Sequence, residues 1–170
     1  TNLAEVFLDQ SNAFHRLGNW EKAKEQANAA DQKASEQQNH ALLAKIATEK
    51  GCQARERYEL AESDLQINRA LDYAEKAGQA RLTILPLYEQ GALHWERGNS
   101  TEAENSFRAA LKISEHLNDP FGMSKVSNGL GVLSMCVGNS SDARKNFEQS
   151  IRFGKELRRV EELALARTNL

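Results

Sequence analysis

An all-α solenoid of antiparallel helix hairpins is predicted by three observations. First, the 170-residue chain repeats itself every forty residues: Gly18, Gly98 and Gly138 lie at multiples of forty from one another, and each precedes an asparagine. Second, another small-residue column runs seven positions earlier, through Gly51, Gly91 and Gly131, with Ser11 completing it. Third, the chain holds only two prolines and is rich in Ala, Glu, Leu, Lys, Arg and Gln, all good helix formers. Self-similarity at such a period marks a solenoid, in which each unit buries its apolar face against its neighbours.

The elements follow in order. Repeat one (1–38) turns at Leu17-Gly18-Asn19. A glycine there supplies the left-handed residue that ends one helix, and the asparagine side chain caps the next. Repeat two (39–78) lacks that glycine and carries Arg57-Tyr58-Glu59-Leu60 instead, so its turn is expected to be tighter or partly continuous. Repeat three (79–118) turns at Arg97-Gly98-Asn99; Pro86 lies inside its first helix and predicts a kink or a delayed start. Repeat four (119–158) opens with Asp119-Pro120, a cap residue and a proline at the first helical position, and turns at Val137-Gly138-Asn139. Asn99 with Glu102 and Asn139 with Asp142 have capping-box spacing. The breaks between repeats, at Gln38-Asn39-His40, Ala77-Gly78-Gln79 and Asn118-Asp119-Pro120, read as longer than the hairpin turns. Residues 159–170 read as the first helix of a fifth, truncated repeat. The chain starts at Thr1 and stops inside that pattern, so it is expected to be a piece of a longer protein whose cut end self-associates.

The columns of the second helices predict the packing. Ala23, Ser63, Ala103 and Ala143 are small, as are Ala30, Ala70, Ala110 and Ser150. Between them stand Ala27, Ile67, Phe107 and Phe147, on the same helical face. Small residues admit close helix approach, and the larger residue fills the space between layers.

Bulk properties narrow the function classes. The chain is 40% hydrophobic and 27% charged with a net charge of −2, which fits a folded domain rather than a disordered one. A pI near 6.1 and the lack of a basic stripe argue against nucleic-acid binding. No apolar run approaches the roughly 20 residues that cross a bilayer, so no membrane partner is expected. Cys52 and Cys136 stand two repeats apart, too far for a disulfide, and free thiols point to the cytoplasm. His15, His40, His94 and His116 are scattered, and no metal-ligand spacing, phosphate loop or nucleophile–base set appears. No catalytic residue, cofactor or metal is expected, and the chain reads as a non-enzyme.

The pattern resembles the tetratricopeptide repeat family in a long-period form. The clearest copy is Asn128-Gly129-Leu130-Gly131, Val137-Gly138-Asn139, then Ala143, Phe147 and Ser150; the third repeat matches through Gly91, Gly98-Asn99, Ala103, Phe107, Ala110 and Leu111. The resemblance implies a right-handed superhelix whose first helices line a concave surface that binds a protein or peptide, within a larger regulatory or signalling protein. The alternative it leaves open is a sensing domain that binds a small molecule and controls self-association. By register, the groove positions are Leu8, Asp9, Asn12, Lys45, Glu49, Arg55, Leu85, Tyr88, Glu89, Trp95, Lys125, Asn128 and Met135. Tyr88, Trp95 and Met135 form an expected apolar anchor. Asp9, Glu49 and Glu89 form an acidic column that either steers a basic partner or pairs with Arg16, Lys45 and Arg55. The family's carboxylate-clamp positions hold Leu8, Asn12, Glu49, Leu85 and Glu89 here, so that activity is not expected.

Overall fold

Eight α-helices account for nearly all of residues 2–157, the part of the chain that the computed structural model describes. They are α1 (Leu3–Arg16), α2 (Trp20–Glu36), α3 (His40–Glu56), α4 (Leu60–Lys76), α5 (Ile84–Glu96), α6 (Ser100–His116), α7 (Pro120–Cys136) and α8 (Ser140–Leu157). No strand occurs among the described residues. The expected first helix of a fifth repeat lies outside them.

Every joint has the same build. At the first hairpin, the Gly18 N–H donates to the His15 carbonyl (2.9 Å) and the Asn19 N–H to that of Phe14 (2.9 Å), a Schellman closure. The same pair of bonds recurs at residues 38–39, 58–59, 78–79, 98–99, 118–119 and 138–139. The residue that completes the closure is also the cap of the next helix: Asn19, Asn39 and Asn139 accept the N–H of Lys22, Leu42 and Asp142 at 3.3, 3.0 and 3.2 Å. Asn139 also donates its amide to Asp142 Oδ2 (2.7 Å), the reciprocal contact its spacing predicts. The other expected caps differ, since neither Asn99 nor Asp119 makes a side-chain capping bond.

Two expectations about the joints are corrected. Two of the three breaks between repeats are no longer than the hairpin turns, three residues between helix ends, because both use one closure; between α4 and α5 the break is seven residues, the same three followed by the four of a 3₁₀ turn. The turn of repeat two is neither tighter nor continuous. Tyr58 takes the left-handed conformation (φ +59°) in place of glycine, as Gln38 (φ +51°) and Asn118 (φ +47°) do between repeats. Seventeen-residue helices are the rule. With three-residue joints they make the true module a helix plus a joint, twenty residues long.

Pro86 produces the delayed start. A 3₁₀ turn at Ala80–Thr83 precedes α5, and Pro86 is the helix's third residue. There its missing N–H would have had no partner within the helix.

The chain divides into two compact units, Thr1–Glu89 and Gln90–Leu170, with the division inside α5. In the first unit, α1 packs on α2 and α3 on α4, and α2 meets α3. Its core gathers Ala4, Leu8, Ala30, Ala34, Leu42, Leu43 and Ile46. In the second, α7 packs on α8 and meets α6. The packing columns pair as expected. A Cβ added at Gly51 would lie 3.0 Å from Ile67, one at Gly91 2.7 Å from the Phe107 ring, and one at Gly131 2.5 Å from Phe147. Where the first column holds Ser11 its counterpart in the second is Ala27, so the added atom is matched by a smaller partner. Ser11 donates to the Ala23 carbonyl across the hairpin (2.8 Å).

Candidate interaction face on the first helices of the repeats

One side-chain contact recurs in register on the first helices. His15 Nδ1 on α1 lies 2.7 Å from Glu49 Oε1 on α3, and Arg55 Nε on α3 donates to Glu89 Oε2 on α5 at 3.0 Å. Both pairs span 34 residues, so each joins a base near the end of one helix to the acidic column of the next repeat. The same register pairs Trp95 with Gly129, where base and acid are both gone.

Glu49 is the hub of a polar network. Gln53 Nε2 donates to Glu49 Oε1 (2.9 Å) and to Ser11 Oγ (2.9 Å). Asn12, with its amide nitrogen toward Glu49, donates to Oε2 at 2.9 Å. The second imidazole nitrogen of His15 lies 3.0 Å from Glu56 Oε2. Burial pushes the Glu49 carboxyl up, but the bonds from His15 and Gln53 outweigh it and hold the group below the ordinary 4.5. The hydrogen bond to Glu49 raises His15 above 6.5; burial opposes it and Glu56 reinforces it.

The expected groove residues separate into three sets. Leu8 belongs to the core, because its side of α1 packs on α2 and α3; Asn128 is buried as well. Glu49, Arg55 and Glu89 are engaged within the chain, Glu89 being only 4% exposed. The partner of Glu49 is His15 rather than Arg16 or Lys45. Asp9 and Lys45 are exposed, while Asn12, Leu85, Tyr88 and Lys125 are half-buried. Trp95 and Met135 are 39% and 50% exposed despite their size. Tyr88 lies on α5 but in the first unit. Gln53 was not singled out from sequence. Its signal was the offset of four from Glu49, which a helix converts into adjacency.

Comparisons with known proteins agree on the architecture. No family model matches the chain. A stretch of 77 residues, 45% of the chain, is 34% identical to cellulose synthase operon protein C of Komagataeibacter xylinus, of which it covers 5%. Aspartyl phosphate phosphatase F from Bacillus subtilis superposes with a TM-score of 0.83 at 15% identity, over 98% of this chain and 44% of that one. A Rap protein complexed with Competence and Sporulation Factor gives 0.85 at 16% identity, over 96% and 46%. A signal transduction ATPase with numerous domains from Pyrococcus horikoshii, which carries a tetratricopeptide repeat sensor, gives 0.68 at 16%, over 98% and 26%. The chain thus spans less than half of each of these three solved structures and a twentieth of this curated relative. Its fold is that of a tetratricopeptide-like α-solenoid.

Proposed function

We propose that the chain is a non-catalytic binding module of a larger regulatory protein, with repeats 1–38, 39–78, 79–118 and 119–158 as members of one array, and that it captures a peptide or protein segment through an apolar side chain. The observation that carries this reading is the exposure of Trp95 on α5 and Met135 on α7. They occupy the column that holds His15 and Arg55 in repeats one and two. There the column is closed by ion pairs; at Trp95 and Gly129 no such pair is available. Contiguous exposed apolar surface marks interaction sites, and Trp is enriched among residues that dominate binding energy. Engagement of Glu49 and Glu89 within the chain favours an apolar anchor over steering of a basic partner. The Rap neighbour, complexed with its factor, and the sensor-bearing ATPase support a role in recognition. The two cysteines are free, which favours a reducing, cytoplasmic setting.

A displayed random-peptide library selected on the whole chain tests the reading. Selected peptides should share a bulky apolar residue, shift the Trp95 indole and Met135 methyl resonances, and lose binding to the Trp95→Ala chain. Peptides that bind without moving those resonances, and survive Trp95→Ala, would overturn it.

A further inference from the structure

The histidine in the recurring base column has a consequence of its own. Both ring nitrogens of His15 face carboxylate oxygens, Glu49 Oε1 at 2.7 Å and Glu56 Oε2 at 3.0 Å. A neutral imidazole donates from one nitrogen only. Both contacts are hydrogen bonds to carboxylates only when the ring carries two protons and a positive charge. In the equivalent place of the next repeat, Arg55 meets Glu89 with a group that does not titrate in the range where proteins fold.

We propose that the joint between repeats one and two is a proton-gated clamp: charged His15 ties α1 to α3 through two carboxylates, and neutral His15 releases one of them, while the Arg55–Glu89 joint stays closed.

The charged and titratable surroundings support this assignment. From α3 the ring meets Glu49 and Glu56. Cys52 donates its thiol to Glu56 Oε1 (3.6 Å), and burial, followed by its acidic neighbours, keeps that thiol protonated. Arg16, on α1 itself, acts on Glu49. From α2 comes the Trp20 ring, its centroid 5.1 Å from that of the imidazole. The ring's side chain is 13% exposed, against 21% for Glu49 and 42% for Glu56. On deprotonation the remaining N–H stays with Glu49, which has the shorter bond and the poorer access to water; Glu56, already half in solvent, is the group released.

The sign follows from linkage. His15 holds its proton more tightly folded than unfolded. The stability it contributes is therefore complete below the unfolded value of about 6.5 and is lost as pH rises through the folded value.

The experiment combines two readouts on the intact chain. An NMR titration of the four histidines should place the His15 midpoint above 6.5. Native-state hydrogen exchange, corrected for the intrinsic pH dependence of exchange, should show α1 losing protection as pH rises from about 6.5 through the folded midpoint of His15. The loss is about tenfold for each unit by which the folded midpoint exceeds the unfolded one. In His15→Arg, which copies Arg55, α1 should stay protected across that range. In His15→Gln, α1 should be less protected at both ends, with no step between them. A His15 midpoint at or below 6.5 would overturn the clamp, and so would a His15→Arg chain that keeps the original pH step. The titration of the unaltered chain decides the matter even if a variant fails to fold.

Discussion

At the scale of the residue, one backbone conformation organises this protein. Each joint needs a left-handed residue, a cost of roughly 1–2 kcal/mol for a residue with a Cβ and little for glycine. Gly18, Gly78, Gly98 and Gly138 meet it freely, and a Cβ added at any of them would touch nothing within 4 Å. Tyr58 meets it at a cost, and at 81% exposure its ring gains little packing in return. Tyr58→Gly is therefore expected to stabilise the chain by about 1 kcal/mol, and Gly98→Ala to destabilise it by a similar amount, read as opposite shifts of the urea midpoint at unchanged slope. A second residue-scale expectation concerns Glu49. Its folded carboxyl titrates below 4.5, so its contribution is present above that pH and is lost as pH falls through the folded value. Glu49→Gln should flatten the dependence of the urea midpoint on pH below 4.5. An unchanged acid limb would assign acid sensitivity elsewhere.

At the scale of the element, the hairpins are matched by size across two columns. The clearance left for a Cβ shrinks from Gly51 (3.0 Å, to Ile67 Cγ1) through Gly91 (2.7 Å) to Gly131 (2.5 Å), the obstacle at the last two being a phenylalanine ring. Glycine-to-alanine changes should destabilise in that order, the last by roughly 1–3 kcal/mol through overpacking. Phe147→Leu should rescue Gly131→Ala in part, giving a favourable coupling in a double-mutant cycle. Phe107→Ala and Phe147→Ala should each cost about 3–5 kcal/mol, because both rings are buried, each against a glycine of the paired helix. Equal melting temperatures across these variants would show that the columns do not set the hairpin spacing. The columns themselves were legible from sequence, since size recurs at a fixed offset. Their complementarity at Ser11 and Ala27 was not, because a serine alone does not announce that its hydroxyl crosses to the Ala23 carbonyl.

At the scale of the whole molecule, a forty-residue repeat built from two twenty-residue modules makes a prediction about register. Excising residues 39–78 removes one full period and puts Glu89 in the register of Glu49, opposite His15. That chain should still melt cooperatively by circular dichroism, at a lower midpoint, since solenoid stability is approximately a sum over units and their interfaces. Excising residues 40–59 removes a single helix and joint. It reverses the alternation of first and second helices and places unlike columns together, so a broad, non-cooperative melt is expected. If the two deletions melt alike, the twenty-residue module rather than the hairpin is the unit of packing.

The helices, their joints and the small-residue columns were determined by the sequence itself, because their causes are local. A left-handed residue, a cap and a glycine within a helix act on backbone and neighbours a few residues away, and repetition every forty residues multiplies the signal. Even there, tyrosine serves at the one hairpin turn where the expected glycine is missing, and glutamine and asparagine do the same between repeats, since the closure requires a conformation rather than a residue. Only the tertiary structure decided which acids are open to a partner. Glu49 and Glu89 look like members of an exposed acidic column along the chain, yet each meets a base 34 residues away on the preceding first helix. Such pairing depends on how two helices with no local connection are laid side by side. The distance, rotation and burial that turn a charge column into internal clamps, and leave Trp95 and Met135 at the surface, exist only once those helices have packed.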